Sequence, residues 1–303
     1  MLPAVSVLLA ACDRPERLKL ALACLAAQTD RNFEVIVCAD AMPKPLFQML
    51  SESLQAENCA GLVGTYVPPP SPGGAAVRNL AAATAVSGDV LVFVDEDFLA
   101  PPGFIRSVRA QLAPRSLLLC PTGVLSGADA AALLESLESD DEPALAAASI
   151  PWSKRTWMEK RLLSGFEAIA PIAAAAEYPP VFGVDPWRIL KDIPLALWRE
   201  DFFSVEGWDG TFPTYAGAAV DLVHRLQRAG VAVTLAAGGA AGLMLPAVED
   251  GRRRELTNAE SALLLERMRR GSVSASLGMR RLPDAAATTP SSAAPSPASS
   301  FRS

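Results

Sequence analysis

The chain is short of several residues on which common chemistries depend. It has one histidine, His224, and a lone histidine on an amphipathic helix reads as a structural or surface residue rather than a metal ligand or proton relay. Its five cysteines, Cys12, Cys24, Cys38, Cys59 and Cys120, contain no Cys-x-x-Cys pair, and an odd number leaves one thiol over in any disulfide framework. Reduced, buried cysteines in a cytoplasmic protein are therefore expected. There is no excess of positive charge: 27 Lys+Arg against 33 Asp+Glu leave a formal net charge of −6, which argues against a nucleic-acid partner held by a basic surface. No apolar run reaches the ~20 residues that span a bilayer, because charges or prolines interrupt each candidate, including 168–176 and 236–248. A soluble protein with at most peripheral membrane contact is expected.

What is present is a chain of 303 residues, half of them apolar, long enough to bury one sizeable core. Leu9-Ala10-Ala11-Cys12 has the look of a lipoprotein cleavage box, but the stretch before it has no Lys or Arg, and a buried first strand accounts for Val5 to Leu9. After that strand come a polar break at Asp13-Arg14-Pro15 and the helical spacing of Leu18, Leu22 and Leu25. The alternation continues with a strand at 33–38, a helix at 45–56, a strand at 62–67, a helix at 75–86 and the most apolar strand at 89–94. Alternating strands and helices imply parallel βαβ units covered on both faces. Further on, a helix is expected at 102–112, a strand at 117–121, a solvated acidic loop at 135–142, a basic-faced helix near Trp152 and Trp157, a helix at 218–229 and a strand at 231–235. From Gly271 the composition turns to Ser, Ala, Pro and Thr, which predicts a disordered tail over 271–303.

The chemistry concentrates at Asp95-Glu96-Asp97. Three adjacent carboxylates at the end of a buried strand repel one another and are costly to desolvate, so a ligand is the favoured reading and a solvated acidic turn the plain alternative. In an open α/β sheet, ligands bind beyond the carboxyl ends of strands, and a hard cation such as Mg²⁺ or Mn²⁺ with oxygen ligands could bridge the acids to a diphosphate. Gly73-Gly74-Ala75-Ala76-Val77-Arg78-Asn79 starts the preceding helix, and a guanidinium there can reach phosphate through its fork of donors. One helix and one strand separate Arg78 from Asp95, so the topology brings both to one sheet edge.

These segments resemble family-2 glycosyltransferases of the GT-A fold. Val5 to Pro15 is similar to that family's first strand and nucleotide loop, Ala27-Gln28-Thr29 with Phe33 to Val37 to its helix and second strand, and Val92 to Asp97 to its Asp-x-Asp signature. A second block, Leu197 to Asp209, resembles the acceptor-side segment also seen in galactosyltransferase C-terminal regions. The resemblance implies an α/β chain with a single Rossmann-like GT-A domain over 1–270, a mostly parallel central sheet flanked by helices, and a nucleotide-binding half (1–120) before an acceptor half (121–270). It implies a hexosyltransferase-type enzyme using a UDP- or GDP-sugar donor, a divalent metal on Asp95 and Asp97, and a saccharide, lipid-linked or small-molecule acceptor, with inversion. Donor contacts would fall to Ala11, Asp13, Arg14, Asp40, Arg78, Asp95 and Glu96.

Two departures matter. Where relatives pair aspartates after the second strand, this chain has Ala39 and Asp40; where they carry an acidic pair before the acceptor-side helix, it has Ala218 and Ala219. Alanine cannot take a proton, which leaves Asp221, three residues on, as the candidate base, with a helix-dipole role as the plain alternative. Asp209 reads as a turn-forming residue. The loss of both acids also motivates a different class of function: a degenerate member that binds a nucleotide-sugar or a partner without turnover. A nucleotidyltransferase fits less well, because 10–17 lacks a glycine-rich signature.

Overall fold

A computed structural model describes residues 2–11, 14–39, 74–85, 88–140, 147–148, 150, 152, 193–246 and 258–278. The expected helix at 45–56 and strand at 62–67, and the basic segment after Trp152, lie outside them.

The first strand, β1 (Val5–Ala11), is buried along its whole length, as an apolar run covered on both faces must be. Pro15, whose fixed φ and missing N–H suit a helix's first turn, opens α1 (Pro15–Ala26). Then follow β2 (Phe33–Ala39), α2 (Gly74–Thr84) and β3 (Val90–Asp95), close to the spans read from periodicity. β1 pairs in parallel with β2 on one side and β3 on the other, with Ala10 opposite Asp95. The chain continues through β4 (Phe98–Leu99), α3 (Phe104–Gln111), β5 (Ser116–Leu119), β6 (Thr122–Val124), α4 (Gly127–Asp140), β7 (Leu195–Trp198) and α5 (Arg199–Ser204). It ends with α6 (Tyr215–Arg228), β8 (Ala232–Leu235), β9 (Gly242–Met244) and α7 (Asn258–Arg270).

The central sheet runs β2-β1-β3-β7-β5-β8. Three of its pairings are parallel; the two made by β7 are antiparallel. The fold is α/β with a mostly parallel sheet flanked by helices. Along β3 the side chains alternate: Val90, Val92 and Val94 face a layer containing α1, α3 and α4, while Leu91 and Phe93 face α2, α5, α6 and α7. On the second side Phe93, Phe202, Trp208 and Tyr215 form a chain of aromatic contacts with centroids 5.1–5.3 Å apart. Each such pair contributes about 0.5–1.5 kcal/mol beyond area burial.

A small sheet, β4-β9-β6, caps the carboxyl end of β3. It depends on Gly242: a Cβ there would stand 2.2 Å from the Phe98 ring and 2.8 Å from Leu99 O, so only glycine lets β9 approach β4.

Two expectations are corrected. The acidic run is not a loop at its start: Glu135 lies within α4, because Leu133 and Leu137, one turn apart, are both buried in the core on the α1 side. The predicted tail does not begin at Gly271. Residues 271–278 pack back on the domain, with Ala275 N donating to Val205 O, Gly210 N to Leu277 O, and Ser276 N and Leu277 N to the Asp209 carboxylate. A buried acceptor at Asp209 orders them despite their composition. Residues 279–303 lie outside the described set.

Candidate active site at the end of β3

The alternation along β3 delivers Asp95 to the same side as Leu91 and Phe93, where Arg78 sits in the first turns of α2. Arg78 Nη2 donates to Asp95 Oδ1 at 2.5 Å and Nη1 to Gly74 O at 3.1 Å. Its buried guanidinium lies 4.5 Å from the Tyr215 ring centroid and 5.9 Å from that of Trp208. Burial disfavours this cation, but the adjacent Asp95 charge, the electron-rich Tyr215 and the Asp95 hydrogen bond outweigh it and hold the Arg78 pKa above the usual arginine value. Asp95 is the exposed member of the triplet, with a third of its side chain open to solvent.

Glu96 and Asp97 leave the strand in a turn and face the start of α1. Arg14 Nε donates to Glu96 Oε1 at 2.7 Å, and Arg14 Nη1 lies 3.4 Å from Asp97 Oδ2. Arg17 Nη1 donates to Asp97 Oδ1 at 2.5 Å, and its Nη2 donates to Pro246 O at 3.0 Å. Both acids are 1% exposed. The triplet that sequence reasoning found too costly to desolvate is thus matched by Arg78, Arg14 and Arg17.

The geometry separates the residues expected to hold a metal. Asp95 pairs with Arg78 toward α2, while both Asp97 oxygens meet guanidiniums at the start of α1. Among the described residues no three His, Cys, Asp or Glu side chains converge as metal ligands. A hard divalent cation needs several oxygen ligands around one point, and the donor set here does not fit an ion bridged by Asp95 and Asp97.

Of the other expected donor contacts, Ala11 ends β1 beside Ala39, and Arg14 takes part as described. Asp13 and Asp40 lie outside the described residues. A small open cleft runs from Asp95 to Tyr215, walled by Phe98, Ile193, Pro194 and Met244.

Asp221 is placed elsewhere. It is fully buried, its Oδ2 accepting from Arg225 Nε at 2.7 Å and its Oδ1 from Arg267 Nη1 at 2.9 Å. Arg267 also reaches Asp209 at 2.6 Å, and Arg225 donates to Val205 O and Gly207 O. A carboxylate enclosed by two guanidiniums has no reach to an acceptor hydroxyl, so the expected catalytic role gives way to a structural one: Asp221 joins α6 to α7. Asp209 accepts from Thr211, Ser276, Leu277 and Arg267, in keeping with a turn-forming role; burial opposes its charge, but these donors hold its pKa below the usual carboxylate value. His224 is half-buried, and burial lowers its pKa.

Sequence reasoning passed over three residues. Arg17 follows Arg14 by three positions on the opening turn of α1, a spacing that puts both on one face, and this was the available signal. Tyr215 was legible only as part of a motif. Glu260 of α7 had no signal: it accepts from Thr214 N at 2.9 Å and Thr214 Oγ1 at 2.6 Å, supplying a buried carboxylate at the start of α6 just before Ala218 and Ala219.

The family profile described as Glycosyl transferase family 2 matches residues 6–125, the span that holds β1, α1, α2, β3 and the acid triplet. Over those residues, and short of half the chain, the sequence is similar to family 2 glycosyltransferases. Solved structures extend the likeness beyond that span. The crystal structure of GalNAc-T7 with UDP, GalNAc and Mn²⁺ superposes on 88% of the chain and 48% of its own, at 17% identity and a TM-score of 0.56. The structure of S. aureus TarS 1–349 covers 91% of the chain and 67% of its own, at 12% identity and a TM-score of 0.52. At such identities the likeness shows a shared GT-A fold. The chain thus spans between about half and two thirds of these structures' lengths. No curated protein matches it by sequence. No described helix is long and apolar enough to cross a membrane.

Proposed function

We propose that the protein transfers a hexose, with inversion, from a nucleotide-diphosphate donor to an acceptor hydroxyl on a saccharide, lipid-linked or small molecule in the cytoplasm. The observation that carries this reading is the placement of two acid–guanidinium pairs, Asp95 with Arg78 and Glu96 with Arg14, at the carboxyl ends of β1 and β3, inside the family-matched span. In this reading the diphosphate lies over that strand end, where leaving-group charge develops as the glycosidic bond breaks. Preorganised guanidiniums beside low-dielectric walls stabilise such charge without reorganising at the moment of reaction. Arg78 is well suited, because Asp95 and the Tyr215 face fix its orientation. The cleft between Asp95 and Tyr215 would then receive the sugar or the acceptor. GalNAc-T7, which shares the fold, is complexed with UDP, GalNAc and Mn²⁺, and this supports a nucleotide-linked donor and makes Mn²⁺ the ion to test.

A second reading, binding without turnover, is favoured by one observation: Ala218 and Ala219 stand where the resemblance implies acids, and Asp221 does not substitute for them. The experiment is calorimetric titration of UDP and GDP, with and without Mn²⁺, followed by donor hydrolysis and transfer assays. Binding with hydrolysis or transfer supports the enzyme, binding with neither supports the second reading, and no nucleotide binding removes both.

A further inference from the structure

The strand-end acids and the α1 arginines together carry an inference that rests on the donor reading and goes beyond it. We propose that the donor diphosphate is neutralised by Arg78 and Arg14, and that Asp95, Glu96 and Asp97 serve to position these guanidiniums instead of chelating a divalent cation.

Asp97 is buried to 1% exposure with Arg17 on one oxygen and Arg14 facing the other, so a cation could reach it only by displacing two guanidiniums from a buried carboxylate. Arg17 is anchored in turn: its second terminal nitrogen donates to Pro246 O, and Leu245 N donates to Asp97 O, so the pair is tied to the segment after β9 from both partners. Asp95, the one exposed acid, uses one oxygen on Arg78. Among the described residues of the triplet that geometry provides a single accessible carboxylate, fewer ligands than a hard divalent cation needs from a protein that is to hold it by two acids.

The same contacts suit an anion. A guanidinium has five N–H donors in a fixed fork, and Arg78 gives two of its hydrogen bonds to Gly74 O and Asp95 Oδ1. Its ring contacts with Tyr215 and Trp208 hold the plane rigid, which favours bidentate phosphate recognition. Arg14 is held at Glu96 on the neighbouring strand end, so two oriented guanidiniums flank the space beyond β1 and β3.

The test is calorimetry of UDP and GDP with the full chain, once in EDTA and once in saturating Mn²⁺. The proposal expects dissociation constants in the two conditions to agree within about threefold, and Arg78→Lys and Arg14→Lys each to weaken binding about tenfold or more in both. Asp97→Asn should leave the ratio between the two conditions near one. Nucleotide binding that appears only with Mn²⁺ overturns the proposal while leaving the donor reading intact, and so does a Mn²⁺ dependence that Asp97→Asn abolishes. Absence of UDP and GDP binding in both conditions overturns the donor reading and this proposal with it. The wild-type comparison stands even if a variant fails to fold.

Discussion

Replacing Asp221 by alanine separates a structural carboxylate from a catalytic one. Its two oxygens hold Arg225 at 2.7 Å and Arg267 at 2.9 Å, and neither Asp221 nor Arg225 is exposed at all. Without the carboxylate, Arg225 keeps only the carbonyls of Val205 and Gly207 and is left a buried cation without a counter-charge, whereas Arg267 retains Asp209. Removing one partner of a buried pair costs about 3–5 kcal/mol. With an m-value of about 3 kcal/mol/M for a chain of this size, the urea midpoint should fall by about 1–1.7 M. Circular dichroism in a urea series measures this. Replacing Asp221 by Leu together with Arg225 by Met should recover much of the loss, because an apolar pair of similar volume carries no desolvation cost. The reasoning is refuted if Asp221→Ala leaves the midpoint within about 0.2 M of wild type while turnover falls about a hundredfold, the pattern of a lost general base.

Other outcomes follow from the same contacts. Gly242→Ala forces a methyl into the Phe98 ring and should destabilise the chain by about 1–3 kcal/mol or more, measured as a lower thermal midpoint. Ending the chain at Arg270 removes the two backbone donors to Asp209 and the bonds at Val205 and Gly210, and should cost about 2–4 kcal/mol in a denaturant series. His224 has a pKa lowered mainly by burial, with Asp221 opposing and Arg228 and Arg225 adding to the shift. The unfolded chain therefore takes up this proton first: stability is full above about pH 6.5 and declines as pH falls below it, and His224→Gln should flatten that part of the profile. The Cys24 thiol, pushed up to about 12 by burial, should resist alkylation in the native state and react on unfolding, as followed by mass spectrometry.

The parts of the fold that sequence made legible are those whose periodicity is set locally. β1, β2 and β3 are apolar runs that parallel pairing demands, and α1 and α2 begin at a proline and a glycine. β7 was not legible, because Leu195-Ala-Leu-Trp is four residues long and becomes a strand through partners more than seventy residues away. At the site, the acid triplet and Arg78 stand out by charge on an apolar background. Their pairings do not, since which oxygen meets which guanidinium depends on turns after β3 and before α1 that no spacing encodes. Asp221 misled for a related reason: three residues from Ala218 on a helix is close in sequence, but Arg267 comes from 46 residues on and takes the carboxylate to the α7 side.

The position of β7 bears on how the protein is made. β5 joins the sheet only through β7 on one side and β8 on the other, so β2, β1 and β3 can pair with one another early, whereas β5 cannot join them until Leu195–Trp198 has left the ribosome. During that interval the free edge of β3 exposes the backbone groups that β7 later takes up, next to the acid triplet. Closing that edge therefore waits on a strand about 100 residues further along, a long-range pairing whose loop-closure entropy makes it a late step in folding.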